Sequence, residues 1–142
     1  MALLKPPHIG REKPWHQDHA YFDLPIGTRI AGAWVALDEA TIENCCMHVL
    51  PGGHIAGPRP HFSGRDWQLC DTEIIRQQCA AIPLKPGGVL LFDALLPHGT
   101  PVNRSGQRRR ALQFHYAPNG VGRTSAEERM AVFGSEGRNV SC

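Results

Sequence analysis

Two short stretches hold the residues that could do chemistry. Trp15-His16-Gln17-Asp18 lies near the start, and His98-Gly99-Thr100 lies far along the chain, with Arg109 eleven residues after His98. Residues at i and i+2 of an extended segment point to the same side, so His16 and Asp18 can grip one metal ion together. A second imidazole, from His98 on a distant strand, would complete two nitrogens and one carboxylate. That set leaves open positions on one side of an octahedral metal, the arrangement of non-haem Fe(II) oxygenases. The chemistry it implies is oxidative. His-x-Asp alone is a weak signal, because the two residues often share a solvated turn. The distal His-Gly-Thr and an arginine at this spacing strengthen it. Leu95, Leu96 and Pro97 before His98 argue against a freely solvated histidine. Read by itself, Arg109 could be one more basic residue of a charged strand.

The segments around these residues read as short strands. Residues 1–14 are rich in proline and glycine and should run extended at a sheet edge, and Pro14 favours an extended entry to the histidine. Ile30 to Leu37 is an almost unbroken run of small or apolar residues and suits a strand buried on both faces. Asp38 to Asn44 should be a loop. Met47 to Leu50 is a short strand that Pro51-Gly52-Gly53 ends. Residues 54–72 read as a long loop, functional or mobile. Lys85-Pro86-Gly87-Gly88 turns into a strand at Val89–Phe92. Ala111 to Tyr116 alternates, with Leu112, Phe114 and Tyr116 on one face and Ala111, Gln113 and His115 on the other. Only the tail reads as a helix, with Ser125 and Glu128 as a capping box and Met130, Val132 and Phe133 as apolar anchors. Many short strands joined by Gly/Pro turns predict an all-β sandwich or barrel. A jelly roll is a double-sheet version of it.

Size and composition agree. The 142 residues make about one domain, able to bury roughly 68–70% of its unfolded surface. Gly 15 and Pro 12 suit tight turns. A net charge of +2 is too small to argue for nucleic acid. Five cysteines, an odd number without a CxxC pair, argue against a disulfide framework or a zinc ribbon and favour a reducing cytoplasmic setting. With no signal peptide and no long apolar run, neither secretion nor a membrane span is expected. The Asn139-Val140-Ser141 sequon carries no meaning in a cytosolic protein. His54 reads as fixing a turn. His48 and His115 sit on strands and could face inward, as substrate contacts or, more simply, as hydrogen-bonded structural residues. His8, His19 and His61 have no spacing signal, although His19 adjoins the site. Cys45 and Cys46 read as packing, and Trp67 as a cover for a pocket or an anchor for its loop.

In combination these residues resemble the phytanoyl-CoA dioxygenase family of Fe(II)- and 2-oxoglutarate-dependent oxygenases. Trp15-His16-Gln17-Asp18-His19 looks like its HxD motif, and Ala33-Trp34-Val35-Ala36-Leu37-Asp38-Glu39-Ala40 like the strand and loop that follow. Glu43-Asn44, Pro51-Gly52-Gly53-His54 and Pro86-Gly87-Gly88 look like later blocks. His98-Gly99-Thr100 through Asn103-Arg104-Ser105 to Arg109 looks like its distal histidine and arginine. The match runs over about residues 5–117. It implies a double-stranded β-helix, or jelly roll, with a short C-terminal helix. It also implies iron on His16, Asp18 and His98, and 2-oxoglutarate held at its far carboxylate by Arg109 with a hydroxyl bond from Thr100. Trp34 would line that pocket, while Arg108 and Arg110 would point elsewhere. The expected function is hydroxylation of a small organic substrate by O2. Related halogenases lack the carboxylate ligand, so Asp18 favours hydroxylation. Members usually carry a helical and strand region before the HxD motif, whereas fifteen residues precede His16 here. Residues 1–142 therefore read as a single jelly-roll domain without that region. Cys45 stands where the family usually has glycine, and would be strained if that glycine has positive φ. Two other functions compete with the oxygenase: a cupin-type metalloenzyme that does not use 2-oxoglutarate, and a non-catalytic jelly roll that binds a metal or small ligand.

Overall fold

Apolar alternation interrupted by Gly/Pro turns produces short antiparallel strands in two layers. The computed structural model describes residues 1–134 and Cys142, so the sequon at Asn139 lies outside the described residues. In chain order the strands are β1 (Ala2–Lys5), β2 (Lys13–His16), β3 (Ala31–Ala36), β4 (Met47–Val49), β5 (Phe62–Ser63), β6 (Trp67–Gln68), β7 (Ala80–Ile82), β8 (Val89–Asp93), β9 (His98–Thr100) and β10 (Arg109–Tyr116). One sheet has the order β1-β10-β3-β8 and the facing sheet β2-β9-β4-β7. This is a jelly roll. The segment expected at a sheet edge is there as β1.

The register of the first sheet decides what faces the second. Gln113 pairs with Trp34, Ala111 with Ala36, and Lys5 with Arg109, all on the inner face. Leu112 with Val35, Phe114 with Ala33, and Leu91 with Ala33 form the outer face. The larger apolar residues of β10, with Leu91 of β8, thus point away from the core, and Leu91 is 72% exposed. The reading of β3 as buried on both faces holds for Trp34 and Ala36 inside, whereas Val35 on the outside is only half-buried. Between the sheets Trp34, Met47, Val49, Phe92 and Ala111 form the core with Cys46. Gly32 is required there. A Cβ at Gly32 would lie 2.5 Å from the Phe92 ring, its cross-strand partner.

Residues 54–72 are more ordered than a bare loop. They hold a 3-10 turn at Gly53–Ala56 and the β5–β6 hairpin, and α1 (Asp71–Ile75) follows. Trp67 packs against Tyr21 at 5.6 Å and under the Arg129 guanidinium at 5.1 Å. It anchors the hairpin and does not line the large cavity. The tail forms α2 (Ala126–Phe133) behind the expected capping box: Glu128 N–H donates to Ser125 Oγ at 3.1 Å, and Ser125 N–H to the Glu128 carboxylate at 2.8 Å. Of the three apolar anchors Phe133 is buried and Val132 is exposed.

Cys45 has φ 66°, so the strain expected at this position is present, about 1–2 kcal/mol for a residue with a Cβ. Cys45 and Cys46 are both buried packing residues. The cysteine reading needs one correction: Cys70 and Cys142 form a disulfide. They are 72 residues apart, so no local spacing announces the pair. Among the described residues no helix is long and apolar enough to cross a membrane.

Candidate metal centre

His16 and His98 meet because they are cross-strand partners of β2 and β9. Directly opposed residues of an antiparallel pair share a face and bring their side chains together. Their ring centroids are 4.3 Å apart. β2 ends at His16, and Gln17 stays extended (φ −114°, ψ 126°) before a 3-10 turn begins at Asp18. The i, i+2 rule therefore survives across the end of the strand. Asp18 Oδ1 lies 3.2 Å from His16 Nε2 and 3.6 Å from His98 Nε2. One ligand atom from each of the three residues falls within 4.8 Å of the others, and all three residues are buried. Gln17 points the opposite way. Its amide donates to Gly57 O and Leu95 O and its oxygen accepts from Arg59 N–H, which ties the motif to two loops.

The electrostatics suit metal binding. His16 Nδ1 is 2.8 Å from Pro14 O, and His98 Nδ1 is 2.9 Å from Leu96 O. Each Nδ1–H donates to its carbonyl, which leaves the Nε2 lone pair directed at the shared point. Burial, reinforced by the nearby His16, pushes His98 down to about 4, so its ring is neutral at pH 7 as a ligand must be. Burial alone would raise Asp18. The adjacent imidazoles of His98, His115 and His16 outweigh it and hold the carboxyl well below the usual range.

The three residues open into a cavity of about 710 Å³ that also contains Trp34, Thr100 and Arg109. Arg109 is 1% exposed, yet its Nε and Nη1 have no hydrogen-bond partner. The guanidinium carbon sits 5.2 Å from the Trp34 ring centroid. A buried, unpartnered planar fork is matched by a carboxylate. Alternation puts Arg108 and Arg110 outside, where Arg110 makes a bidentate pair with Asp38 at 2.9 and 2.8 Å. All six residues singled out in the sequence, His16, Asp18, His98, Arg109, Thr100 and Trp34, thus line one cavity.

Other histidines divide. His115 faces inward and lines the cavity. His19 is buried away from it, against Phe133. His54 is exposed in its turn. His61 is fully buried, accepting from Gln17 N–H at 3.1 Å. Sequence reasoning missed Gln113 and Lys5. Gln113 Nε2 donates to Asp18 Oδ2 at 2.8 Å. Lys5, the partner of Arg109 across β1 and β10, donates to Thr100 O and Pro101 O. A signal existed for Gln113 and His115. Both lie an even number of residues from Arg109 on one strand and therefore share its face.

The geometry has clear relatives. The family model for phytanoyl-CoA dioxygenase (PhyH) matches residues 1–111. Phytanoyl-CoA dioxygenase domain-containing protein 1 of Rattus norvegicus is 32% identical over 124 residues, covering 81% of this chain and 42% of that protein. The peroxisomal phytanoyl-CoA dioxygenase of Homo sapiens is 30% identical over 127 residues, covering 82% and 38%. The chain spans less than half the length of both. The crystal structure of EvdO2 from Micromonospora carbonacea var. aurantiaca complexed with 2-oxoglutarate is 35% identical. It superimposes with a TM-score of 0.64 over 85% of this chain and 53% of that one. With most of its length and its fold accounted for in this way, the chain belongs to the phytanoyl-CoA dioxygenase family.

Proposed function

We propose that this chain is an Fe(II)- and 2-oxoglutarate-dependent dioxygenase that hydroxylates a small organic substrate. The observation that carries the reading is Arg109, a buried guanidinium with two unpartnered nitrogens in the same cavity as a His-Asp-His cluster. A metal jelly roll without a dicarboxylate co-substrate has no use for that arrangement. The donor set also fits, with two imidazoles and one carboxylate.

In this reading His16, Asp18 and His98 hold the iron. Arg109 grips the far carboxylate of 2-oxoglutarate through its fork, and Thr100 adds a hydroxyl bond. Trp34 supports the guanidinium from one face. Bound iron supplies the oxidation, in which O2 converts 2-oxoglutarate to succinate and CO2 and gives one oxygen atom to the substrate. The chain's part is to orient the groups and keep water out. Leu3, Ile9 and Phe22 give the cavity an apolar wall for the substrate.

Anaerobic titration with Fe(II) and 2-oxoglutarate tests the reading, followed through the weak visible charge-transfer band of the chelate. The expected result is a band in the wild type that Arg109→Ala weakens or loses, with Asp18→Ala abolishing both the band and substrate-dependent succinate release. Full turnover in Asp18→Ala would refute the ligand assignment. Bound iron without a band in folded protein would replace the oxygenase reading with that of a metal-binding jelly roll.

A further inference from the structure

The two carboxylate oxygens of Asp18 have different neighbours. Oδ1 faces the two imidazoles, 3.2 Å from His16 Nε2 and 3.6 Å from His98 Nε2. Oδ2 faces the opposite sheet, where Gln113 Nε2 is 2.8 Å away and His115 Nε2 is 2.7 Å away. Both donors stand on the inner face of β10, the strand that carries Arg109. Gln113 is buried, and the Phe22 ring meets His115 edge-on at 4.9 Å, which fixes the imidazole plane.

A carboxylate can hold a metal with one oxygen or with two. We propose that Gln113 and His115 fix Asp18 as a one-oxygen ligand and so preserve the coordination position that O2 needs. The inference rests on the oxygenase reading. Two N–H groups on Oδ2 occupy its lone pairs and hold it away from the metal side. Their own 3.1 Å separation is then a side-by-side contact of two donors, not a hydrogen bond between them. A swing of the carboxylate to a two-oxygen grip would strand both donors in a buried site, where unpaired polar groups are costly. The position count explains why this matters. If iron were held here by three protein atoms, the 2-oxo acid end of the co-substrate would take two of the positions left open. A second oxygen from Asp18 would fill the last one.

Gln113 and His115 are therefore positioning residues acting through Asp18. The test uses Gln113→Leu, His115→Phe and the double variant, with His115→Gln as the conservative control that restores a donor. Co(II) affinity is measured by calorimetry. The position left after 2-oxoglutarate binds is measured with nitric oxide, which takes the place of O2 on Fe(II) and gives an electron paramagnetic resonance signal. The double variant should bind Co(II) about 10- to 100-fold more weakly, the usual effect of removing a partner of a metal ligand. It should also lose most of the nitric oxide signal when 2-oxoglutarate is present. His115→Gln should recover both. Should the double variant not fold, Gln113→Leu alone decides the matter through the same two readouts. Wild-type Co(II) affinity and a full nitric oxide signal in a folded variant lacking a donor would overturn the proposal. Equal Co(II) binding by wild type and His16→Ala would instead refute the underlying metal assignment, and the proposal with it.

Discussion

A neutral imidazole and an ionised carboxylate need opposite surroundings, and the centre supplies both within a few ångströms. Burial keeps His98 neutral, while neighbouring histidines keep Asp18 ionised against the same burial. In the proposed reading Arg109 and Thr100 would divide the recognition of a dicarboxylate unequally. Loss of one hydroxyl hydrogen bond, about 1 kcal/mol, should weaken 2-oxoglutarate binding roughly fivefold in Thr100→Val. Arg109→Lys should cost more, because an ammonium cannot reproduce a planar two-point contact. Calorimetric titration of the Fe(II)- or Co(II)-loaded protein checks the order. Lys5 adds a second buried cation beside Arg109, and burial lowers it to about 8. Among the described residues neither makes an ion pair with a side chain of the chain itself.

At the scale of elements, strand pairing does most of the positioning. β2 and β9 bring His16 to His98, β10 brings Arg109 to Trp34 on β3, and alternation carries Gln113 and His115 to Asp18. β10 also shows why face assignment from hydrophobicity fails here. Its larger apolar residues point outward because the inner face must hold Arg109, Gln113 and His115. The Gly32–Phe92 pair leaves no room for a Cβ. Gly32→Ala should destabilise the protein by about 1–3 kcal/mol through overpacking, read as a lower denaturation midpoint. It should also disturb the site, since the Phe92 ring packs 4.8 Å from the His98 ring.

Across the whole molecule, contacts between distant segments hold the centre in place. His61 accepts from the Gln17 N–H inside the metal motif, and its own N–H donates to Phe133 O at the end of α2. Its role as acceptor requires a neutral ring. Burial pushes His61 down to about 4, against 6.5 as its ordinary value. The unfolded chain thus binds a proton here before the folded one does. The contribution of His61 to stability is complete above about pH 6.5 and is lost as pH falls through about 4. Replacement by glutamine should flatten the fall in stability between these pH values, as denaturant titrations at pH 7 and pH 4 would show. An unchanged slope would mean that another group governs acid unfolding.

The His-x-Asp motif and the all-β class could be read from the sequence because they depend on local rules, whereas the role of Arg109 and the jelly-roll topology were legible only through the family pattern. Residues i and i+2 of an extended segment share a side, alternation reveals strands, Gly and Pro punctuate them, and Ser125 with Glu128 caps a helix. The strained Cys45 was legible on the same terms, once its place in the family pattern was known. Other features depend on which strands become neighbours, and no local rule sets that. The tertiary structure alone decided that Gln113 and His115 hold Asp18, that Lys5 lies beside Arg109, that His61 joins Gln17 to α2, and that Cys70 finds Cys142. Each of these contacts joins residues far apart in the chain. A glutamine or histidine on a strand looks the same in sequence whether its face meets a metal ligand or solvent.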